Sequence, residues 1–182
     1  LIPEDPGKRI DLGSSEGYYN YIVAGGSFGD LYGYKFLRND AGKIILDAQN
    51  KPRKTALPEK LGSLDPDWTL GWNNTFTYKQ WSMAFLLKGV FGGEVVSQTE
   101  SMLDGAGVSL RSGDDRDQGY TVVDAVDPNG TAVTQVNPEG WYRAIGDRNG
   151  ILEAYVYDRT NIRLTQLALT YDFDLKGNNV LK

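Results

Sequence analysis

The stretch DWTLGWNNTFTYKQWSMAFLLKGVFGG, from Asp67 to Gly93, contains two arms of alternating side chains. In the first arm the even-numbered positions are large and apolar, except Asn74, and the odd-numbered positions are small or polar. In the second arm, from Trp81, the large apolar side chains stand at odd-numbered positions. A period of two residues indicates β-strands. The short break at Lys79–Gln80 therefore predicts a tight antiparallel hairpin.

Similar alternation predicts further strands on both sides of this hairpin. The expected strands cover residues 30–38, 68–79, 81–91 and 162–174. In the last one, Leu167 and Leu169 share a face, whereas Ile162 and Leu164 have the opposite phase. This change of phase predicts either a β-bulge near Thr165 or an inward apolar contact. Residues from about 92 to 159 are rich in Gly, Asp, Asn and Ser, which favours a long loop carrying function.

Composition excludes several classes of function. The chain has 182 residues and a net charge of −5, which gives no electrostatic support for a nucleic-acid partner. It contains no His and no Cys, the residues most used for acid–base catalysis and transition-metal binding. Asp65 and Asp67 could form a carboxylate pair, but their Asp-Pro-Asp sequence favours a turn before a strand. We therefore expect no enzyme activity, no cofactor and no metal site.

Two interpretations of the alternating arms remain open at this point. Each arm is about ten residues long, the length of a tilted strand that crosses a bilayer. Aromatic residues at the ends of the arms, such as Tyr78 and Trp81, are typical of the girdles at membrane interfaces. The alternative is a soluble carbohydrate-binding β-sandwich that uses tryptophans such as Trp68 or Trp72 as a binding platform.

Three segments, in the same order along the chain, resemble a known family. They are GDLYGYKFLRNDAGKI (Gly29–Ile44), LGSLDPDWTLGWNNTFTYKQWSMAFLLKGVFGGEV (Leu61–Val95) and EAYVYDRTNIRLTQLALTYDF (Glu153–Phe173). The chain looks like a C-terminal barrel segment of a SusC/RagA-like TonB-dependent outer-membrane transporter.

The resemblance implies an all-β fold whose antiparallel strands form part of a transmembrane β-barrel wall with a long external loop. Residues 1–182 would be one part of the barrel region, because such barrels have about 22 strands. We therefore expect that this segment is not a self-sufficient transporter. The implied function is a part in nutrient import, of glycans or peptides, at the cell outer membrane.

The resemblance also implies partners, and the expected long loop is the place where binding residues are expected. The expected partners are the rest of the same barrel and its plug, a SusD-like surface lipoprotein, outer-membrane lipid, and the TonB complex through a plug region that this sequence lacks. Within the expected loop, Asp114, Asp115, Arg116 and Asp117 could hydrogen-bond sugar hydroxyls or the lipoprotein, and Trp141 and Tyr142 could stack on sugar rings.

Overall fold

A computed structural model describes residues 9–15, 18–146 and 148–173. In these residues the chain is mostly antiparallel β-sheet with few helices. Among them, no helix is long and apolar enough to cross a membrane. The chain divides into two compact units. We call Leu1–Asp65 with Gly93–Asp158 the core unit, and Pro66–Gly92 with Arg159–Lys182 the sheet unit.

The elements alternate between the two units along the chain. The strands are β1 (Arg9–Ser15), β2 (Tyr18–Val23), β3 (Asp30–Gly33), β4 (Ile44–Ile45), β5 (Glu59–Ser63), β6 (Trp68–Tyr78), β7 (Trp81–Phe91), β8 (Glu94–Val96), β9 (Thr121–Val126), β10 (Ala132–Val136), β11 (Val156–Asp158) and β12 (Asn161–Tyr171). The helices are α1 (Gln98–Gly105), α2 (Leu110–Gln118) and α3 (Pro138–Ile145), and a 3₁₀ helix spans Leu152–Tyr155.

The sheet unit is one antiparallel sheet with the strand order β12-β7-β6. β6 and β7 pair without interruption from Trp68 opposite Phe91 to Tyr78 opposite Trp81. Lys79 and Gln80 alone connect them, so the predicted tight hairpin is confirmed. The strands predicted at 68–79 and 81–91 agree with the structure to within one residue.

A bulge in β12 restores a common apolar face. The pairing of β12 with β7 shifts between Leu164 and Gln166, which confirms the bulge predicted near Thr165. An extra residue at that point returns Ile162 and Leu164 to the face that carries Leu167. The strand predicted at 162–174 is observed as Asn161–Tyr171, and residue 174 lies outside the described residues.

The strand predicted at 30–38 is wrong in its extent. β3 ends at Gly33, and only isolated bridges follow, at Phe36 and Arg38. The backbone N–H of Phe36 donates to the carboxylate of Glu153 at 2.7 Å. This donor is therefore used by a side chain and not by a neighbouring strand.

The long loop expected from about 92 to 159 is also wrong. That segment contains α1, α2, α3, the 3₁₀ helix and β8 to β11. It supplies most of the buried apolar cluster of the core unit, which consists of Leu46, Val123, Ala125, Val136, Trp141, Tyr142, Ile145, Ile151 and Tyr155. Burial of these side chains favours folding over a solvated loop. The Gly and Asn residues of this segment lie largely at turns and caps, whereas most of its Asp residues lie within helices and strands.

The sheets of the core unit frame this cluster. One sheet has the order β1-β2-β3-β5, a second has the order β10-β9-β4 with β4 parallel to β9, and β11 pairs with β8. In β9 buried and exposed residues alternate, so Val123 and Ala125 reach the core. Two helices of the same unit, α1 and α3, pack against each other. Both helices contribute residues to a cavity of the core unit.

Candidate functional site

A buried carboxylate joins α1, α2 and the 3₁₀ helix of the core unit. Asp104, near the end of α1, is 0% exposed. Its carboxylate accepts hydrogen bonds from the Ser109 hydroxyl, from the Nε of Arg111 at 2.8 Å and from the hydroxyl of Tyr155 at 3.0 Å. A second guanidinium nitrogen of Arg111 also contacts it. A buried charge is tolerated only when it is paired and hydrogen-bonded, and this one is.

Electrostatics keep Tyr155 and Arg111 in one protonation state near neutral pH. Burial raises the pKa of the Tyr155 phenol, and the charge of Asp104 raises it further. The hydrogen bond to Asp104 raises the pKa of the Arg111 guanidinium. Tyr155 therefore stays a neutral donor and Arg111 stays a cation, so the network holds its elements in place and offers no proton for chemistry.

Local capping explains why α2 and α3 begin where they do. Ser109 precedes α2, and its side chain accepts from the N–H of Ser112. Asn137 precedes α3, and its side chain accepts from the N–H of Gly140 at 3.0 Å. Pro138 follows at the first helical position, where its missing N–H costs nothing.

The three helices border a cavity of about 370 Å³ that is open to solvent on one side. We call it the helix cavity. Asp104, Ser112 and Tyr142 line it and are buried, whereas Arg116 and Arg143 line it and are exposed. Ligand pockets in proteins start at about 300 Å³, so the helix cavity could hold a small polar group.

The polar groups around the helix cavity are partly engaged with one another. Arg143 pairs with Glu139 at 3.1 Å, and both side chains are about 70% exposed. The hydroxyl of Tyr142 donates to Asp115 at 2.8 Å. Burial raises the pKa of Tyr142, and the bond to Asp115 raises it further. The exposed arginine–carboxylate pair can exchange its weak mutual contact for bonds to a ligand, whereas Tyr142 is fixed.

The residues predicted from sequence are only partly brought together. Arg116 and Tyr142 line the helix cavity, and Asp115 lies next to it through its bond to Tyr142. Asp117 pairs with Arg116 at 3.6 Å but does not line the cavity, and neither does the exposed Asp114.

Trp141 is placed differently from the sugar-stacking role expected for it. Its side chain is 9% exposed and stacks on Phe36, with ring centroids 5.8 Å apart. Both rings pack in the core unit, because Trp141 belongs to the buried cluster and Phe36 lies against it. Trp141 therefore has no free ring face for a sugar.

Sequence reasoning missed the other five polar side chains that line the helix cavity. These are Asp104, Ser112, Asn137, Glu139 and Arg143. A signal for α3 existed, since Asn-Pro-Glu is an N-cap, a first-position proline and an acidic first turn. No comparable local signal marks Asp104, whose partners include a residue 51 positions away.

The sheet unit presents a second functional feature, a face of exposed apolar side chains. We call it the apolar face. Its exposed members are Trp68, Leu70, Trp72, Phe76, Tyr78, Trp81, Met83, Ile162, Leu164, Leu167, Leu169 and Tyr171. The opposite face, called the polar face, is formed mainly by small and polar residues such as Thr75, Thr77, Ser82, Gln166 and Thr170. Soluble monomers rarely expose an apolar surface of this kind, so it marks an interaction site.

Comparison with known proteins relates the chain to part of a transport receptor. No family model matches the chain. It is 30% identical over 166 residues to TonB-dependent receptor P3 of Formosa agariphila. The alignment covers 88% of this chain and 15% of that receptor, so the chain spans about a seventh of the length of the relative that it matches. The chain is therefore similar to one part of a TonB-dependent receptor.

Proposed function

We propose that this chain is part of a TonB-dependent outer-membrane importer of the SusC/RagA type. In this proposal the sheet unit is a piece of the barrel wall, and the core unit carries the helix cavity. The observation that carries the proposal is the two-faced sheet, whose strands β6, β7 and β12 are each 11 residues long. Strands of about 9–11 residues span a bilayer when tilted. The similarity to a TonB-dependent receptor supports the same conclusion.

Lipid is the environment that best matches the apolar face. Trp72 and Phe76 are each just over 50% exposed on one strand, and Leu169 is 66% exposed on another. Such side chains are favoured in hydrocarbon and disfavoured in water. The aromatic pair Trp81–Tyr171, with ring centroids 4.7 Å apart, lies at the hairpin end of the sheet. Aromatic rings with polar edges are favoured at this depth, where lipid meets water.

The proposal includes the partners that such an importer requires. The remaining strands of the barrel would pair with the free edges of β6 and β12, because unpaired backbone groups are costly in lipid. A plug within the barrel would contact the TonB complex. A SusD-like surface lipoprotein would assist in capturing a glycan or a peptide.

In this proposal the helix cavity contacts the transported glycan. Its exposed Arg116 and Arg143 donate several N–H groups, and Glu139 and Asn137 accept or donate beside them. This mixture of donors and acceptors suits the hydroxyl groups of a glycan. We expect Arg116→Ala with Arg143→Ala to weaken glycan binding, measured by calorimetry, and Asp114→Asn, outside the cavity, to leave it unchanged.

The apolar face is tested directly by single-cysteine labelling. The chain contains no Cys, so Leu167→Cys and Gln166→Cys each introduce one labelling position here. The two residues are neighbours in β12 and belong to opposite faces. The intact receptor is labelled with a nitroxide at each position and placed in liposomes.

The two labels should respond to different relaxing agents. At position 167 we expect relaxation by lipid-dissolved oxygen, and at position 166 relaxation by a water-soluble nickel chelate. If the water-soluble agent reached position 167 freely, the barrel-wall proposal would be wrong. A water-soluble module that uses its tryptophans to bind carbohydrate would then be the better explanation.

A further inference from the structure

Two cations stand side by side on the polar face of the sheet unit. The pairing of β12 with β7 places Arg163 directly opposite Lys88, and the pairing of β7 with β6 places Lys88 opposite Gly71. Both charged side chains are exposed. Like charges directly opposite each other destabilise an antiparallel sheet. The pair is thus unfavourable unless a third, negative group lies between them.

The sheet itself supplies no such group. β6, β7 and β12 contain no Asp and no Glu. Within residues 9–15, 18–146 and 148–173, neither Lys88 nor Arg163 belongs to an ion pair of the structure. The acids nearest in sequence, Asp158 and Glu94, are five residues from Arg163 and six from Lys88, and they lie opposite each other in β11 and β8 of the core unit. Two further acids flank the strands of the sheet. The N–H of Asp67 bonds Phe91 and that of Asp172 bonds Gln80, so these acids lie at the two ends of the sheet.

Asp67 and Asp172 lie too far along the strands to contact Lys88 or Arg163 directly. Asp67 precedes Gly71 by four residues, roughly 13 Å along a strand, and Gln80 is eight residues from Lys88, roughly 26 Å. The longer gap exceeds the reach of a lysine or arginine side chain. To reach Asp67 across the shorter gap, Lys88 would have to turn away from Arg163.

The space beside Lys88 is open. A Cβ atom built on Gly71 would meet no atom within 4 Å, so the third position in this row of the sheet is empty. Asn73, two residues along β6 from Gly71, shares its face and carries an amide donor. An ammonium, a guanidinium and an amide therefore border one unfilled position.

We propose that Lys88 and Arg163 form a binding site for a single oxyanion, with Gly71 providing the space and Asn73 a neutral donor. The ligand class is a carboxylate, sulfate or phosphate group. A guanidinium recognises such a group through two parallel N–H bonds, and a lysine adds a mobile charge. The group belongs to an anionic solute or to an acidic side chain of another polypeptide segment. The inference goes beyond the proposed function and does not depend on what contacts the apolar face.

The test uses the intact receptor that carries this chain, purified in detergent. Its thermal unfolding midpoint is measured in sodium sulfate and in sodium chloride of equal ionic strength. The variants are Lys88→Met and Arg163→Glu, and the control is Lys79→Met at the hairpin turn. The control corrects for the general stabilising effect of sulfate on folded proteins.

Each outcome has a defined meaning. If a solute fills the site, sulfate raises the midpoint of the unchanged receptor and of the control by several degrees more than that of either variant. If a polypeptide carboxylate fills it, sulfate acts equally on all four proteins, and Arg163→Glu lowers the midpoint in chloride through repulsion. If sulfate acts equally and Arg163→Glu leaves the midpoint unchanged or raises it, the pair is bare and the proposal is overturned. The labelling test of the apolar face is a separate readout, so failure of one proposal is distinguishable from failure of the other.

Discussion

The core unit and the sheet unit use the same residue types in opposite ways. Trp141 and Tyr155 of the core unit are 9% and 0% exposed, whereas Trp72 and Trp81 of the sheet unit are 51% and 50% exposed. In the core unit, helices and strands supply two sides of a packed interior. In the sheet unit, a single three-stranded sheet has no second layer of its own within the described residues.

This difference shows that alternation alone does not reveal what an apolar strand face contacts. The buried and exposed residues of β9 alternate, and so do the large and small residues of β6. The apolar face of β9 is covered by other elements of the core unit. The apolar face of β6 is exposed, so only a partner from outside the sheet unit would cover it. Mutations in the two units therefore separate internal from external stabilisation.

The largest effect is expected from removing the buried carboxylate of the core unit. Asp104→Ala leaves Arg111, Ser109 and Tyr155 without their shared acceptor. Removing one partner of a buried ion pair costs about 3–5 kcal/mol. We expect peptides of the core unit to lose hydrogen-exchange protection, as measured by mass spectrometry. Asp114→Asn, an exposed change in α2, is the control. Unchanged protection in Asp104→Ala would show that the network does not stabilise the unit.

A charge on the apolar face should be the next most costly change. Leu167 is 64% exposed, so Leu167→Arg would cost little if water surrounded it. In lipid, arginine near the midplane costs about 2–4 kcal/mol. We expect a loss of that size in urea unfolding of the receptor from liposomes. The control is Gln166→Arg on the opposite face. Equal effects of the two changes would contradict the difference between the faces.

Alkaline pH should lower the free energy of unfolding of the core unit. The pKa of Tyr155 is raised in the folded state. Its contribution to the free energy of unfolding is therefore fully present below about pH 10, the pKa of tyrosine in the unfolded chain. That contribution is lost as pH rises toward the pKa of the folded state. Tyr155→Phe removes this dependence and also a hydrogen bond to Asp104, with a cost of about 1–3 kcal/mol at neutral pH. Denaturant midpoints of the core unit at pH 7 and above pH 10 check both effects. If Tyr155→Phe still lost the same amount of stability above pH 10, another group would be responsible for the alkaline loss.

The sequence predicted the sheet unit well because its structure follows local rules. Residue alternation located β6 and β7, and the change of phase located the bulge at Thr165. The core unit was harder to predict because its contacts join distant positions. Phe36 bonds to a side chain 117 positions away, and the helix cavity depends on three helices that pack together. A segment rich in Gly and Asp therefore looked like a loop although its apolar residues form a core.

The smallest expected effect concerns the turn that joins β6 to β7. Lys79 has a φ of 50°, whereas a positive φ is disfavoured for residues that carry a Cβ. Lys79→Gly removes this strain and leaves the pairing of Tyr78 with Trp81 in place. We expect the sheet unit to gain about 0.5–1 kcal/mol, measured by urea unfolding of the receptor in liposomes.

The control for this turn is the neighbouring residue. Gln80 is not among the described residues with positive φ, so Gln80→Gly only adds freedom to the unfolded chain and should lower stability slightly. Lys79→Val should act in the opposite direction to Lys79→Gly, because a β-branched side chain is the least tolerant of positive φ. If both glycine variants lowered stability equally, the strain at Lys79 would make no contribution. The hairpin would then be held by its cross-strand pairs alone, from Trp68 opposite Phe91 to Tyr78 opposite Trp81.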